Sequence, residues 1–129
     1  MPFIRIDTRA GCYSASQRVA MSEILYEAVR RIGAPEGDRF QVFTEHPPGY
    51  LVCDPSYLGI AHTDGFVAIQ ITLNAGRSLQ QKKGLFAEIA EEFEARAGAR
   101  RGDVFINLIE VARENWSFGN GEAQYAPET

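Results

Sequence analysis

Apolar and polar residues alternate along Phe3-Ile4-Arg5-Ile6-Asp7, the two-residue period of a strand with one buried face. After Gly11 the period changes. Met21, Ile24, Leu25, Ala28 and Ile32 recur at helical spacing, and Ser14 or Ser16 ahead of them suits an N-cap, which predicts a helix running to about Ile32. Gly33 and then Pro35 stop it. A second strand covers Phe40-Gln41-Val42-Phe43-Thr44. His46-Pro47-Pro48-Gly49 reads as a rigid turn, Tyr50 to Cys53 as a short extra strand, and 54–64 as a long irregular connection. Alternation returns over Phe66 to Leu73, with Val67, Ile69, Ile71 and Leu73 large and apolar and the residues between them small or polar. A second helix follows from about Ser78 to Ala97, with its stripe at Phe86, Ile89, Ala90, Phe93 and Ala97. The fourth strand, Val104 to Val111, is apolar on both faces, and an aromatic, glycine-rich tail closes the chain.

The second half repeats the first. Residues 4–45 laid on 69–110 without a gap match at 14 of 42 positions, including Ile4/Ile69, Ile6/Ile71, Gly11/Gly76 and Glu27/Glu92. Shared helix and turn rules explain matching isoleucines and glycines. They do not explain the pattern Gly-Ala-x-x-Gly-Asp-x-Phe, which begins at Gly33 and again at Gly98. We read a duplicated β-α-β unit within one domain spanning 1–129.

Two such units predict an α+β fold: a mixed, ferredoxin-like sheet with two helices on one face. Right-handed crossovers suggest the order fourth-first-third-second strand. The fourth strand then leaves apolar residues on the bare face, which predicts a closed homo-oligomer with its sheets turned inwards.

Composition narrows the function. At 129 residues, 45% hydrophobic and 23% charged, the chain has an ordinary globular make-up. A net charge of −4 speaks against nucleic acid or a membrane surface as partner. Cys12 and Cys53, like His46 and His62, are far apart and lack metal-ligand spacing, so no metal or cofactor is implied. Reduced thiols and the lack of a long apolar run suggest the cytoplasm.

The strand directions bring Pro2, Asp38-Arg39, Ala75-Gly76-Arg77 and residues 113–118 to one sheet edge. Both helices are expected to begin near it, where their dipoles favour an anion. Arg39 and Arg77 are therefore candidate anion-binding residues. Pro2 is singular. Initiator methionine is normally removed before a small residue such as proline, which would leave a secondary amine at the terminus. An α-amino group titrates near 8, so modest shifts make it a base or an acid at neutral pH.

These residues carry a resemblance. Met1-Pro2, the run Gly33 to Gln41, His46-Pro-Pro-Gly49, the run Arg77 to Lys82 and the tail Trp116 to Tyr125 resemble the tautomerase superfamily, in particular the group around malonate semialdehyde decarboxylase. The resemblance spans nearly the whole length. It implies the duplicated fold, a homotrimer, and an N-terminal proline acting on a small carboxylate without a cofactor. Pro2 matches the catalytic proline and Asp38 a polarising aspartate. Arg77 matches the second arginine of an Arg-x-Arg pair that grips the substrate carboxylate. Trp116, Phe118 and Tyr125 match the apolar pocket wall, with Tyr125 in place of a phenylalanine. The chain departs from the group at Ala75, where the decarboxylase has the first arginine of the pair. Tautomerase chemistry on a keto or enol acid therefore ranks ahead of decarboxylation or hydration.

Other readings stay open. Asp38 recurs as Asp103, as a turn residue would, and Trp116 and Phe118 suit a core as well as a pocket. Duplicated sheet-and-helix domains also serve as non-catalytic ligand-binding modules, which a retained Met1 would favour.

Overall fold

Ile4 faces Ile71, and Ile6 faces Ile69, at the centre of one four-stranded sheet, where all four side chains are fully buried. The structure, a computed structural model, describes residues 2–128. The expected removal of Met1 concerns a residue outside that range. Strand β1 (Phe3–Arg9) leads into helix α1 (Ala15–Arg31) and strand β2 (Gln41–His46). A small hairpin of β3 (Ser56–Tyr57) and β4 (Ile60–Ala61) precedes β5 (Val67–Asn74), helix α2 (Leu79–Arg96) and β6 (Val104–Val111). Single 3₁₀ turns stand at Arg101–Asp103 and Arg113–Asn115.

The duplication is visible in the pairing itself. β1 runs parallel to β2 with Ile4 opposite Gln41, and β5 runs parallel to β6 with the repeat-related Ile69 opposite Ile106. The halves join through the antiparallel β1–β5 ladder, so the sheet is mixed and its order is β2-β1-β5-β6. This corrects the expected order, which put β5 between β1 and β2. Either order allows right-handed crossovers. The structure places the two strands with the strictest alternation, β1 and β5, in the centre, where each has a neighbouring strand on both sides. The less regular β2 and β6 become the edges.

Both helices lie on one face. Met21, Ile24 and Leu25 of α1 and Leu85, Ile89 and Phe93 of α2 form the core with the isoleucines. Full burial of such a side chain is worth about 1.5–3 kcal/mol. Each helix opens with a reciprocal capping box, Ser14 with Gln17 and Ser78 with Gln81. The helices are tied across their surface by Arg96–Glu27 (2.9 Å) and by Arg31–Glu88. Arg31 is thus a cross-helix partner although its side chain stays exposed. Such exposed pairs contribute little stability.

Tyr50 to Cys53 is not a strand: Tyr50 and Val52 are 77% and 80% exposed, and pairing occurs later, in the β3–β4 hairpin. Leu58 (φ 52°) and Gly59 (φ 78°) both have positive φ, as the tight turn between two such strands requires. Leucine rarely takes that conformation, so the sequence hid the turn.

The sheet's other face is open. Arg5, Asp7 and Gln70 occupy its middle, while Phe105 (52% exposed), Ile109 and Val42 leave apolar surface towards its two edges. Among the described residues no helix is long and apolar enough to cross a membrane.

Candidate active site

β1 and β2 start, and β5 and β6 end, along one edge of the sheet. That edge gathers Pro2, Asp38, residues 75–77 and the chain beyond Val111. The helices do not both begin here. α1 follows β1 and starts where β1 ends, at the far edge, so it brings its C-terminal turn to the site. Only α2 presents its N-terminus.

Arg77 lies between these two helix ends. It stands directly before Ser78, the N-cap of α2, where the helix dipole disfavours a cation. The loop from Gly76 to Ser78 is one residue shorter than its counterpart from Gly11 to Ser14, which brings Arg77 into this position. Its side chain turns away to the other helix. Nε donates to the carbonyl of Ile32 (3.1 Å), the C-cap of α1, and Nη1 donates to the carbonyl of Asn74 (3.0 Å). A helix C-terminus favours a cation, so Arg77 is held by the end of one helix at the start of the other. Two of its five N–H donors are engaged in this way.

Arg77 lines a cleft of about 510 Å³ together with Pro35, Asn74, Ala75, Arg113 and Tyr125. Asn74 organises one wall. Its side-chain oxygen accepts from Trp116 Nε1 at 2.7 Å, while its backbone carbonyl holds Arg77. Trp116 stacks on Phe118 with 5.8 Å between ring centroids and 12° between planes. Phe118 meets Tyr125 edge-on at 4.9 Å. The tail is fixed by Gln124, which accepts from the Phe118 N–H and donates to the Gly119 carbonyl. Tyr125 thus reaches the cleft, with Trp116 and Phe118 packed behind it.

Pro2 and Asp38 are buried and do not line the cleft. Asp38 adjoins it, since its N–H donates to the carbonyl of the lining residue Pro35 (3.2 Å). Burial pushes the Asp38 carboxyl above its ordinary range, and the positive charge of Arg77 opposes this in part. Arg39 is not brought into the cleft. It pairs with Glu23 of α1 (3.0 Å) and lies over the Tyr26 ring, 4.1 Å from its centroid.

Asn74 and Arg113 are the residues that sequence reasoning did not single out. Asn74 sits at the polar end of an alternating strand, where nothing local marks it. Arg113 could be placed at this edge, but not against Tyr125, whose ring centroid lies 5.1 Å from its guanidinium carbon.

The family model of the tautomerase enzymes matches residues 38–119. The chain belongs to the tautomerase family. It is 37% identical to the probable tautomerase YusQ of Bacillus subtilis (strain 168), over 96% of this chain and 98% of that protein. Among solved structures, FG41 malonate semialdehyde decarboxylase inhibited by 3-bromopropiolate superposes with a TM-score of 0.86 at 36% identity, covering 95% of this chain and 93% of that one. A fused 4-OT described as a symmetric trimer superposes at 0.76 with 20% identity, over 98% and 99% of the two chains, and shows the shared fold. This tautomerase family member therefore falls in the group around malonate semialdehyde decarboxylase, within a family of enzymes.

Proposed function

We propose that the protein is a tautomerase that moves a proton on a small keto or enol carboxylic acid, with the secondary amine of Pro2 as the acid–base group. One observation carries this reading: Pro2 and Asp38 are buried at the same sheet edge where Arg77 is fixed in a cleft. Enol and keto forms differ only in the position of one proton, so the reaction needs no oxidant and no leaving group. A basic amine accepts the hydroxyl proton of the enol, and the protonated amine delivers one to carbon. An α-amino group near pKa 8 can do both at neutral pH. Asp38 would raise the affinity of the amine for its proton, and Arg77 would lower it. Arg77 also holds the substrate carboxylate with the donors left free by Ile32 and Asn74. Tyr125, backed by Phe118 and Trp116, supplies the apolar wall. The inhibitor seen on the FG41 decarboxylase, 3-bromopropiolate, is itself a three-carbon carboxylate, in keeping with a small acid as substrate.

Decarboxylation is the second reading, favoured by 36% identity to a decarboxylase. Ala75 lines the cleft with a methyl group and adds no cation there, which ranks proton transfer first. We further propose a homotrimer with the open sheet faces inside. Phe105, Ile109 and Val42 supply the apolar surface such a closure would bury, and the fused 4-OT neighbour is a trimer.

The test is ketonisation of phenylenolpyruvate by chain beginning at Pro2 and by chain that keeps Met1. An acylated nitrogen is neither base nor nucleophile, so the longer chain should be inactive. Pro2→Ala keeps a primary amine and should retain part of the activity. Equal rates with and without Met1 would end the proline mechanism.

A further inference from the structure

Two guanidinium groups and no carboxylate line the cleft beside the end of β5. Glu110, whose charge feels Arg77, is tied to Lys82 at 2.8 Å. Arg77 is committed to two carbonyls. Arg113 differs: among the described residues it makes no hydrogen bond and no ion pair, and its one polar contact is the face of Tyr125. Stacking on a ring orients a guanidinium without using its N–H groups, so the five donors of Arg113 remain available.

The backbone explains how Arg113 comes to the cleft. Asn74 pairs with Val111, and the Ala75 N–H donates to the Val111 carbonyl at 2.9 Å. β6 therefore ends alongside β5, and the 3₁₀ turn beginning at Arg113 sets out beside Ala75. With only a methyl group at position 75, the wall there is open to a long side chain arriving from β6. Arg113 is exposed in the same concave site as Arg77, so an anion bound there would meet both guanidinium groups.

We propose that Arg113 is a second carboxylate-binding residue of this cleft. The acid is then gripped by one fixed cation, Arg77, and one adaptable cation, Arg113, standing over Tyr125. This rests on reading the cleft as the place where an acid substrate binds. It adds a residue delivered by the end of β6 in place of one from β5.

The experiment uses full-length mature protein and its Arg113→Gln and Arg113→Met variants, the second keeping an apolar stem for Tyr125. Thermal melting selects the variants that fold. Binding of phenylpyruvate and of its neutral amide is followed by NMR titration, beside kcat/KM for phenylenolpyruvate. Loss of one charged contact should weaken phenylpyruvate about ten- to a hundredfold and leave the amide nearly unchanged. KM should rise more than kcat falls. Unchanged phenylpyruvate affinity, or equal losses for both probes, overturns the assignment. The two readings fail separately. A wild type that ketonises the enol while Arg113→Gln binds phenylpyruvate normally keeps the tautomerase and loses Arg113. Arg113-dependent carboxylate binding without ketonisation does the reverse.

Discussion

Asp38 and Asp103 occupy the same position of the two repeats, 5% and 1% exposed, yet their carboxyl groups are driven in opposite directions. Burial works to raise both. At Asp103 it is overcome by bonds from the Thr63 backbone N–H (2.7 Å) and hydroxyl (2.5 Å) and by Arg100 (3.3 Å), and the carboxyl titrates below its ordinary value. At Asp38 burial prevails and the carboxyl titrates above it. Duplication supplied the same acid twice; one copy holds a turn, while the other sits at the candidate site.

The signs give a paired prediction. For Asp103, folded-state pKa below the unfolded value of 3.8 means stability present above that value and lost as pH falls through the folded one. For Asp38 the folded value lies higher, so its favourable share is complete below 3.8 and is lost as pH rises through the folded value. At pH 7, Asp103→Ala should destabilise by roughly 2–4 kcal/mol, since it strands the Thr63 donors. Asp38→Asn should leave stability unchanged or raised at pH 7, with any gain vanishing towards pH 3, and should lower ketonisation. Denaturant melts at both pH values check this; comparable losses for both variants at pH 7 would refute it.

Arg77→Ala should act twice. It removes donors from the Ile32 and Asn74 carbonyls, and it removes a cation from the cleft. We expect a stability loss of about 1–3 kcal/mol together with a KM for a carboxylate substrate raised roughly ten- to a hundredfold. A neutral analogue should be affected far less. A uniform loss on both substrates would make Arg77 a structural residue alone.

Ala75→Arg should add a cation at a position that lines the cleft. Carboxylate binding should tighten. Positive charge near Pro2 should lower the amine pKa, so the pH optimum of ketonisation should move down. Acetaldehyde release from malonate semialdehyde should be slow before the substitution and faster after it. Efficient release by the unmodified protein would show that Ala75 is no obstacle to decarboxylation.

Trp116→Phe keeps a ring for stacking on Phe118 but loses the Nε1 donor to the buried Asn74. An unsatisfied buried acceptor costs about 1–3 kcal/mol. Part of that loss should appear in the melt, and part as a weaker grip on Arg77, read as a raised KM for acids. Wild-type values for both would mean that Asn74 is held without Trp116.

Local rules made much of this protein legible from its sequence. The alternation of Ile4 and Ile6, and of Ile69 and Ile71, gave the central strands, because side chains on successive strand residues face opposite ways. The helical stripes, with serines ahead of them as candidate caps, gave both helices, and the ungapped repeat gave the duplication. Direction of travel alone placed Pro2, Asp38 and Arg77 at one edge. Tertiary structure decided what local rules leave degenerate. Both strand orders obey the same handedness, so only the packed sheet fixes β1 against β2. That α1 ends at the site was implicit in the chain order, since a helix following β1 starts where β1 ends, but the capture of Arg77 by Ile32, 45 residues away, was not. Arg39 was claimed by Glu23 and Tyr26, and Arg113 was set over Tyr125, by contacts that no periodicity encodes. Short-range sterics and burial patterns act within a few residues and can be read along the chain. The competition among charged side chains is settled by which partners the fold brings within reach.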